Sequence, residues 1–185
     1  MNASDETKLP ERKQIRLQQY DYARCGMYFL TICSADRRRI FSQIVGAIHE
    51  SPAVRLLSCG EIVQSVLEIL PKRFEYIEIV DYVIMPDHIH LIVWLKSDER
   101  AIHESPLQNR SDIPKIMGFF KMNVSKKIHA LYPNLQVWQR SYFDHVIRNH
   151  EDLSEIRQYI HENPRRWEIK RSEDSWHDAD DAAIF

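Results

Sequence analysis

Two strongly apolar runs stand side by side near the middle of the chain, with only Pro86 and Asp87 between them. Residues 76–85 and residues 88–95 are rich in β-branched and aromatic side chains, a composition typical of strands. Because so short a linker leaves no room for a crossover, the two strands are predicted to form an antiparallel hairpin. Any fold of this sequence has to be built around that hairpin.

Shorter patterns predict the other elements. Runs of β-branched and aromatic residues indicate strands, and apolar residues spaced three and four apart indicate helices. The predicted elements are a strand at 28–33, a small hairpin formed by 40–48 and 54–57, helices at 61–74, 113–131 and 150–162, a strand at 142–147, and a loop at 97–111. This order predicts an α+β fold, a ferredoxin-like antiparallel sheet with helices packed on it.

Length and charge suggest one domain with a polar arm and an acidic tail. Residues 1–171 are predicted to form a single domain that begins with the polar arm 1–26, and residues 172–185 a disordered or loosely packed tail. Without the five acidic residues of that tail, the chain has 25 basic and 22 acidic residues. Within residues 110–171, 12 Lys or Arg stand against 7 Asp or Glu. Such an excess suits a polyanionic partner, although ordinary surface helices often show it too.

The sequence indicates neither a membrane protein nor a secreted one. No stretch approaches the roughly 20 apolar residues of a membrane span, and the first residues lack the apolar segment of a signal peptide. Cys25, Cys33 and Cys59 form no CxxC pair, which favours a reducing cytoplasm over a disulfide framework or a zinc finger. We therefore expect a cytoplasmic protein without a membrane partner.

His88 and His90 open the second strand of the central hairpin. Since side chains alternate along a strand, both imidazoles are predicted to project from one face, and Ile89 and Leu91 from the other. Two neighbouring imidazoles on a rigid element suit a transition metal or, with added oxygen ligands, Mg²⁺ or Mn²⁺. They could equally be two polar residues on the wetter face of a hairpin. A metal site would also need a third ligand from elsewhere.

The last predicted helix carries Tyr159 and Asn163 one turn apart, so that they neighbour each other on one flank. Asn149 suits the N-cap, and Pro164 is predicted to end the helix with Asn163 as its terminal residue. Tyr159 has an ordinary interpretation as a boundary tyrosine, and Asn163 as a capping residue. Together with the histidines they form a second possibility. A tyrosine beside a metal can attack a phosphodiester and store its bond energy in a covalent ester, which permits later rejoining.

Several longer segments resemble one known family. MPDHIHLIV at residues 85–93 resembles the HUH motif (His, hydrophobic, His) of the single-tyrosine transposases. VWQRSYFDHVIRN at 137–149 and IRQYIHENP at 156–164 resemble the REP-associated tyrosine transposase branch. IRLQQY at 15–20 and YFLTIC at 28–33 resemble the opening of that family, and the whole likeness covers about residues 12–170.

The resemblance implies an HUH nuclease fold and a set of roles. Tyr159 would be the nucleophile, His88 and His90 would bind Mg²⁺ or Mn²⁺, and Asn163 would be the third ligand. The family forms a 5′-phosphotyrosine link to single-stranded DNA at hairpins of palindromic repeats, as a monomer or a homodimer. Asp87 departs from the asparagine expected before the first histidine, and either alters metal preference or faces solvent.

DNA contacts follow less directly from the sequence. Arginines near the proposed site are candidates for phosphate contacts, and a solvated basic surface is the alternative. They are Arg140, Arg148, Arg157, Arg165 and Arg166. Trp138, Tyr142 and Trp167 are candidates either for stacking on unpaired bases or for core packing. A protein with these contacts would be nucleoid-associated when bound to DNA.

Three other functions compete with the transposase. A metal-free hydrolase of the histidine-triad type would need a third alternating histidine, where Ile92 stands. A domesticated DNA-hairpin-binding protein that no longer transposes is the alternative within the family, although the four proposed active-site residues are all present. A structural metal module is disfavoured because the proposed ligands mix His with Asn and include no Cys.

Overall fold

The computed structural model describes residues 25–46, 52–96 and 112–182, with side chains as far as Ile169. The loop predicted at 97–111 and nearly all of the predicted N-terminal arm lie outside these ranges. The elements are β1 (Gly26–Cys33), β2 (Ser42–Val45), β3 (Ala53–Leu56), α1 (Ser58–Leu67), α2 (Leu70–Arg73), β4 (Ile77–Ile84), β5 (His88–Leu95), α3 (Asp112–Leu131), β6 (Phe143–Ile147) and α4 (His150–Ala182). A 3-10 turn, Ala35–Arg37, follows β1.

The main sheet has the strand order β4-β5-β1-β6, and every neighbouring pair is antiparallel. Strands β4 and β5 form the predicted hairpin. With α1 and α2 between β1 and β4, and α3 between β5 and β6, this is the split βαβ arrangement of a ferredoxin-like fold. The predicted fold class is confirmed. The predicted small hairpin is also present, as the separate pair β2-β3.

An apolar layer covers each face of the main sheet, because successive β5 side chains alternate between the two. Leu91 packs with Phe120 of α3 in the larger core. Ile92 packs with Phe29 of β1 and Ile160 of α4 in a smaller cluster on the opposite face. His88 and His90 are separated from Ile92 by an even number of residues along β5, so their side chains project from the same face, towards α4.

The turn that leads into β5 is held by the rest of the molecule. Ser34 donates its backbone N–H to the carbonyl of Asp87 at 2.9 Å, and Phe41 donates its own to the carbonyl of Pro86 at 3.0 Å. The hydroxyl of Ser42 donates to the carbonyl of Ile84 at 2.7 Å. The first histidine of β5 therefore follows a turn that is bonded to two other segments.

The helix predicted at 61–74 is divided in two. Helix α1 ends at Leu67, and α2 begins at Leu70 after a short turn. Pro71 explains the break, because it has no N–H to donate to the carbonyl of Leu67 and its ring crowds that carbonyl. The prediction of one continuous helix was wrong.

The last helix is longer than predicted. Helix α4 does not end before Pro164, and its backbone stays helical to Ala182, across the predicted boundary between domain and tail. A proline removes a single i→i−4 hydrogen bond, here to the carbonyl of Ile160, and the bonds on either side can continue. Asn163 is therefore an interior residue and not a cap, and the backbone of the predicted tail is helical as far as Ala182. The predicted N-cap is confirmed, because the side-chain oxygen of Asn149 accepts the N–H of Asp152 at 2.8 Å.

Within the described ranges, no helix combines the length and apolarity needed to cross a bilayer. Cys25, Cys33 and Cys59 are all free, as their spacing predicts.

Candidate active site

His88 and His90 lie side by side on the α4 face of the sheet. Both are buried, with 7% and 4% of their surfaces exposed. Their Nε2 atoms face each other at 3.1 Å. The prediction that both imidazoles project from one face is confirmed, and the alternative of a solvent-facing pair is excluded by their burial.

The outer nitrogen of each ring has its own partner. His88 Nδ1 lies 2.5 Å from Asp87 Oδ1, and His90 Nδ1 lies 2.9 Å from the hydroxyl of Thr31. A carboxylate beside Nδ1 favours the tautomer in which that nitrogen carries the proton, which leaves the Nε2 of His88 with a free lone pair. The pair is thus held with its ligand-forming atoms turned towards each other.

Asp87 is itself held in place. It is buried, and its Oδ2 lies 3.5 Å from Nε of Arg37. Arg37 also donates a hydrogen bond to Sγ of Cys33 at 3.0 Å. Asp36 and Arg37 have φ values of 52° and 55°, a region that costs a non-glycine residue on the order of 1–3 kcal/mol. The strained turn directs Arg37 towards Asp87, so Asp87 does not simply face solvent as one prediction allowed.

Thr31 and Arg37 are functional candidates that the sequence did not reveal. Thr31 reaches His90 only because β1 and β5 pair in a register that places the two residues opposite each other. Arg37 is one of three consecutive arginines, and its separation from Asp87 by 50 positions conceals their contact. Strand register and the shape of one turn decide both contacts.

His90 is adapted to remain neutral. Burial is the largest cause that lowers its pKa, to about 3 in all; the neighbouring His88 and Arg37 act in the same direction, and Asp87 partly opposes them. At neutral pH the imidazole therefore has a lone pair on one ring nitrogen. A proton donated from Nδ1 to Thr31 would leave that lone pair on Nε2, facing His88.

Tyr159 and Asn163 lie on the flank of α4 nearest the histidines. The Tyr159 ring centre is 5.1 Å from that of His90 and 6.2 Å from that of Phe29. Tyr159 is 37% exposed, whereas Asn163, one turn further on, is 7% exposed. The Tyr159 ring is therefore beside His90, and part of the residue is open to solvent. The functional roles of these residues stay predictions.

The spacing of the two imidazoles is compatible with one divalent cation between them. Two ligand atoms at right angles, each about 2.1 Å from one Mg²⁺, lie about 3 Å apart, close to the observed spacing of the two Nε2 atoms. In the described part of the chain, no three His, Cys, Asp or Glu side chains converge on a common point. Further ligands would have to be the amide of Asn163, water or phosphate oxygens. Binding of Mg²⁺ or Mn²⁺ stays a prediction.

The predicted DNA-contacting arginines fall into two groups. Arg157 and Arg166 are engaged within the protein, with Arg157 3.7 Å from Asp81 and Arg166 2.8 Å from Glu162. The guanidinium of Arg166 also lies 5.5 Å from the centre of the Tyr159 ring. The other three, Arg140, Arg148 and Arg165, are exposed, as Arg157 and Arg166 also are. Their contacts with DNA stay predictions.

The tryptophans differ in their surroundings. Trp138 packs on Phe41 and Phe120 and donates its indole N–H to the carbonyl of Lys121, which supports core packing. Tyr142 likewise packs against the larger core. Trp167 lies 6.0 Å from the His88 ring, and the guanidinium of Arg39 lies 5.5 Å from its centre. Trp167 therefore belongs to the surroundings of the histidine pair, and the other two rings do not.

A ferredoxin-like sheet with two neighbouring histidines on a central strand, crossed on the same face by a tyrosine-bearing helix, defines the HUH class of proteins. Residues 26–163 match the family described as "Transposase IS200 like", and the chain belongs to that family of transposases. The match begins with β1 and ends at Asn163, so it contains the whole of the candidate site. The family predicted from the motifs is confirmed.

Relatives and solved structures agree with this assignment. A Haemophilus influenzae protein named REP-associated tyrosine transposase is 31% identical over 148 residues, which cover 78% of this chain and 73% of that protein. An uncharacterized protein of the same species is 31% identical over 167 residues, 85% of this chain and 90% of that one. A REP-associated tyrosine transposase solved with a bound REP hairpin has a TM-score of 0.51 and 18% identity, covering 80% of this chain and 72% of the other. At that identity the likeness concerns the fold.

Proposed function

We propose that this transposase is a single-stranded DNA endonuclease and strand transferase that cuts beside DNA hairpins and rejoins strands through a 5′-phosphotyrosine intermediate. One observation carries the proposal: the Tyr159 ring lies 5.1 Å from His90, whose Nε2 faces that of His88. Hairpin DNA is proposed as the partner because a solved fold neighbour is bound to a REP hairpin.

The reaction assigns a defined fate to each bond. Tyr159 loses its phenolic proton to solvent and attacks the phosphorus in line, so that a bond forms between the tyrosine oxygen and phosphorus. The bond from phosphorus to the 3′ oxygen breaks, and that oxygen takes up a proton. A 3′-hydroxyl later attacks the phosphotyrosine, which restores the phosphodiester and releases the tyrosine. No external energy source is needed, because the ester conserves the energy of the broken bond.

The surrounding side chains have separate tasks in this proposal. His88, His90 and Asn163 would hold Mg²⁺ or Mn²⁺, which would supply positive charge at the phosphate oxygens. Thr31 and Asp87 keep the imidazoles in orientation. Arg166, whose guanidinium lies 5.5 Å from the centre of the Tyr159 ring, would add a positive charge beside the nucleophile.

The test is a covalent adduct on labelled DNA. Purified protein is incubated with Mg²⁺ or Mn²⁺ and a hairpin-bearing single strand labelled at its 5′ or 3′ end, and the products are separated on a denaturing gel. We expect the part of the DNA 3′ to the cut to remain attached to protein, and the part 5′ to it to be released with a free 3′-hydroxyl. Tyr159→Phe should abolish the adduct, because phenylalanine has no oxygen to form the ester.

Tyr132→Phe is the matched control, because Tyr132 is an exposed tyrosine at the end of α3, away from the histidines. His88→Ala and His90→Ala should stop cleavage while hairpin binding survives. Cleavage by Tyr159→Phe at the wild-type rate would refute the nucleophile. If the wild-type protein binds hairpins but never cleaves them, the domesticated hairpin-binding alternative is correct.

A further inference from the structure

Asp81 faces α4 because β4 contains a bulge. Ile77 and Ile79 pack against the larger core, and so do Tyr82 and Ile84 further along the strand. Odd-numbered residues face that core before the bulge and even-numbered residues after it, and the pairing with β5 shifts between Ile79 and Asp81. In an unbroken strand Asp81 would share the face of Ile77 and enter that core. The bulge turns its carboxylate to the opposite face, where α4 lies.

Both oxygens of the Asp81 carboxylate have partners. Its Oδ1 accepts the backbone N–H of Tyr82 at 2.9 Å, which fixes the orientation of the group. Its Oδ2 lies 3.0 Å from Nε2 of His161 and 3.7 Å from Nε of Arg157. The Asp81 side chain is only 16% exposed. A fixed, largely buried carboxylate on the edge strand thus contacts two consecutive turns of α4.

These contacts lie on the flank of α4 opposite the nucleophile. Arg157 and His161 are four residues apart and share one flank. Tyr159 and Asn163 are also four apart, on the flank that faces the histidines. Ile160, between the two flanks, packs on the sheet. Asp81 therefore holds one side of the helix while the reacting tyrosine projects from the other.

We infer that Asp81 is a positioning residue, which sets the rotation of α4 about its axis and thereby the placement of the Tyr159 oxygen. The inference rests on the proposed function. A rotation of about 10° moves a group roughly 6 Å from a helix axis by about 1 Å. Misplacement of a reacting group by about 1 Å can slow a reaction roughly 100-fold. Apolar contacts with Ile160 resist separation of the helix from the sheet more than they resist rotation, so the polar anchor at Asp81 adds resistance to rotation on its flank, as the contact of His145 with Asp152 does near the start of the helix.

The test compares adduct formation in single-turnover experiments with saturating hairpin DNA. Asp81→Asn should form the Tyr159 adduct roughly 10- to 100-fold more slowly, with hairpin affinity and Tm close to those of the wild-type protein. Asp81→Glu, which keeps the carboxylate, should recover part of the rate. In His161→Gln, whose side chain is 70% exposed, the rate should also fall, and Asp81→Asn with His161→Gln together should be no slower than Asp81→Asn alone.

Glu78→Gln is the matched control on the same strand, because Glu78 pairs with Lys96 at 3.0 Å and not with α4. A wild-type rate in Asp81→Asn, or fully additive effects in the double variant, would overturn the inference. If the wild-type protein forms no adduct at all, the proposed function fails instead. Hydrogen exchange of the free protein then tests whether Asp81 holds α4. Faster exchange of backbone amides 157–163 in Asp81→Asn supports this role, and unchanged exchange refutes it.

Discussion

The residues around His88 show how a buried imidazole is given one orientation. Asp87 accepts from the outer nitrogen, and Arg37 faces the other oxygen of the same carboxylate. Burial of an isolated carboxylate would be costly, so the arginine and the imidazole N–H together offset its loss of hydration. The aspartate that replaces the expected asparagine is thus part of the histidine site.

This arrangement predicts that Asp87 controls metal affinity. Asp87→Ala should weaken Mn²⁺ binding roughly 10- to 100-fold, because His88 loses the partner that sets its tautomer. Asp87→Asn should lose less of its Mn²⁺ affinity, since an amide oxygen can still accept a hydrogen bond from Nδ1 of His88. Calorimetric titration of the DNA-free protein with Mn²⁺ measures the effect independently of cleavage. Glu78→Gln serves as the control, and wild-type affinity in Asp87→Ala would contradict the prediction.

At the scale of elements, the close packing of α1 against the segment before β2 depends on one glycine. A Cβ atom at Gly60 would lie 2.0 Å from the carbonyl oxygen of Phe41, and backbone atoms cannot yield as a flexible side chain can. The segment carrying Phe41 is also the one that bonds the carbonyl of Pro86. The start of α1 is therefore linked through Phe41 to the turn before the histidines.

Two glycine substitutions should have opposite effects on stability. Gly60→Ala should lower the free energy of unfolding by more than about 2 kcal/mol, because the new methyl group overlaps the Phe41 carbonyl. Gly118→Ala, in the interior of α3 with open space around the added Cβ, should raise it by about 0.5–1 kcal/mol. Urea unfolding followed by circular dichroism measures both. Equal effects of the two substitutions would show that the close approach at Gly60 is unimportant.

At the scale of the whole molecule, the main sheet has its larger core on one face and the candidate site on the other. The face covered by α1 and α3 holds the larger core, and the face covered by α4 holds the histidines, the tyrosine and the smaller apolar cluster. Because α4 packs on the sheet of its own chain, a single chain brings Tyr159 beside the two histidines.

The exposed arginines that are predicted to contact DNA should contribute to DNA affinity. Neutralising Arg140, Arg148 or Arg165 with glutamine should weaken hairpin binding and lower the slope of log Kd against log salt by about 0.7–0.9 for each lost phosphate contact. Lys126→Gln is the control, because Lys126 is exposed on α3, against the opposite face of the sheet. Fluorescence anisotropy at several salt concentrations provides the measurement. An unchanged slope in all three arginine variants would place the DNA elsewhere.

Local patterns in the sequence were sufficient for much of the fold and for the face or flank on which the predicted site residues lie. The alternation along β5 placed both histidines on one face, and helical spacing placed Tyr159 and Asn163 on one flank. The two-residue linker required the β4-β5 hairpin. These predictions succeeded because each depends on the period of a single element, which the chain carries locally.

Tertiary structure decided the contacts between distant residues, which no local sequence pattern predicts. Strand register brought Thr31 to His90, a strained turn brought Arg37 to Asp87, and a bulge turned Asp81 towards α4. The last helix continues past Pro164 to Ala182, although local propensity predicted its end there. Contacts between distant segments depend on how whole elements pack, so the residues that hold the site in place become visible only in the folded chain.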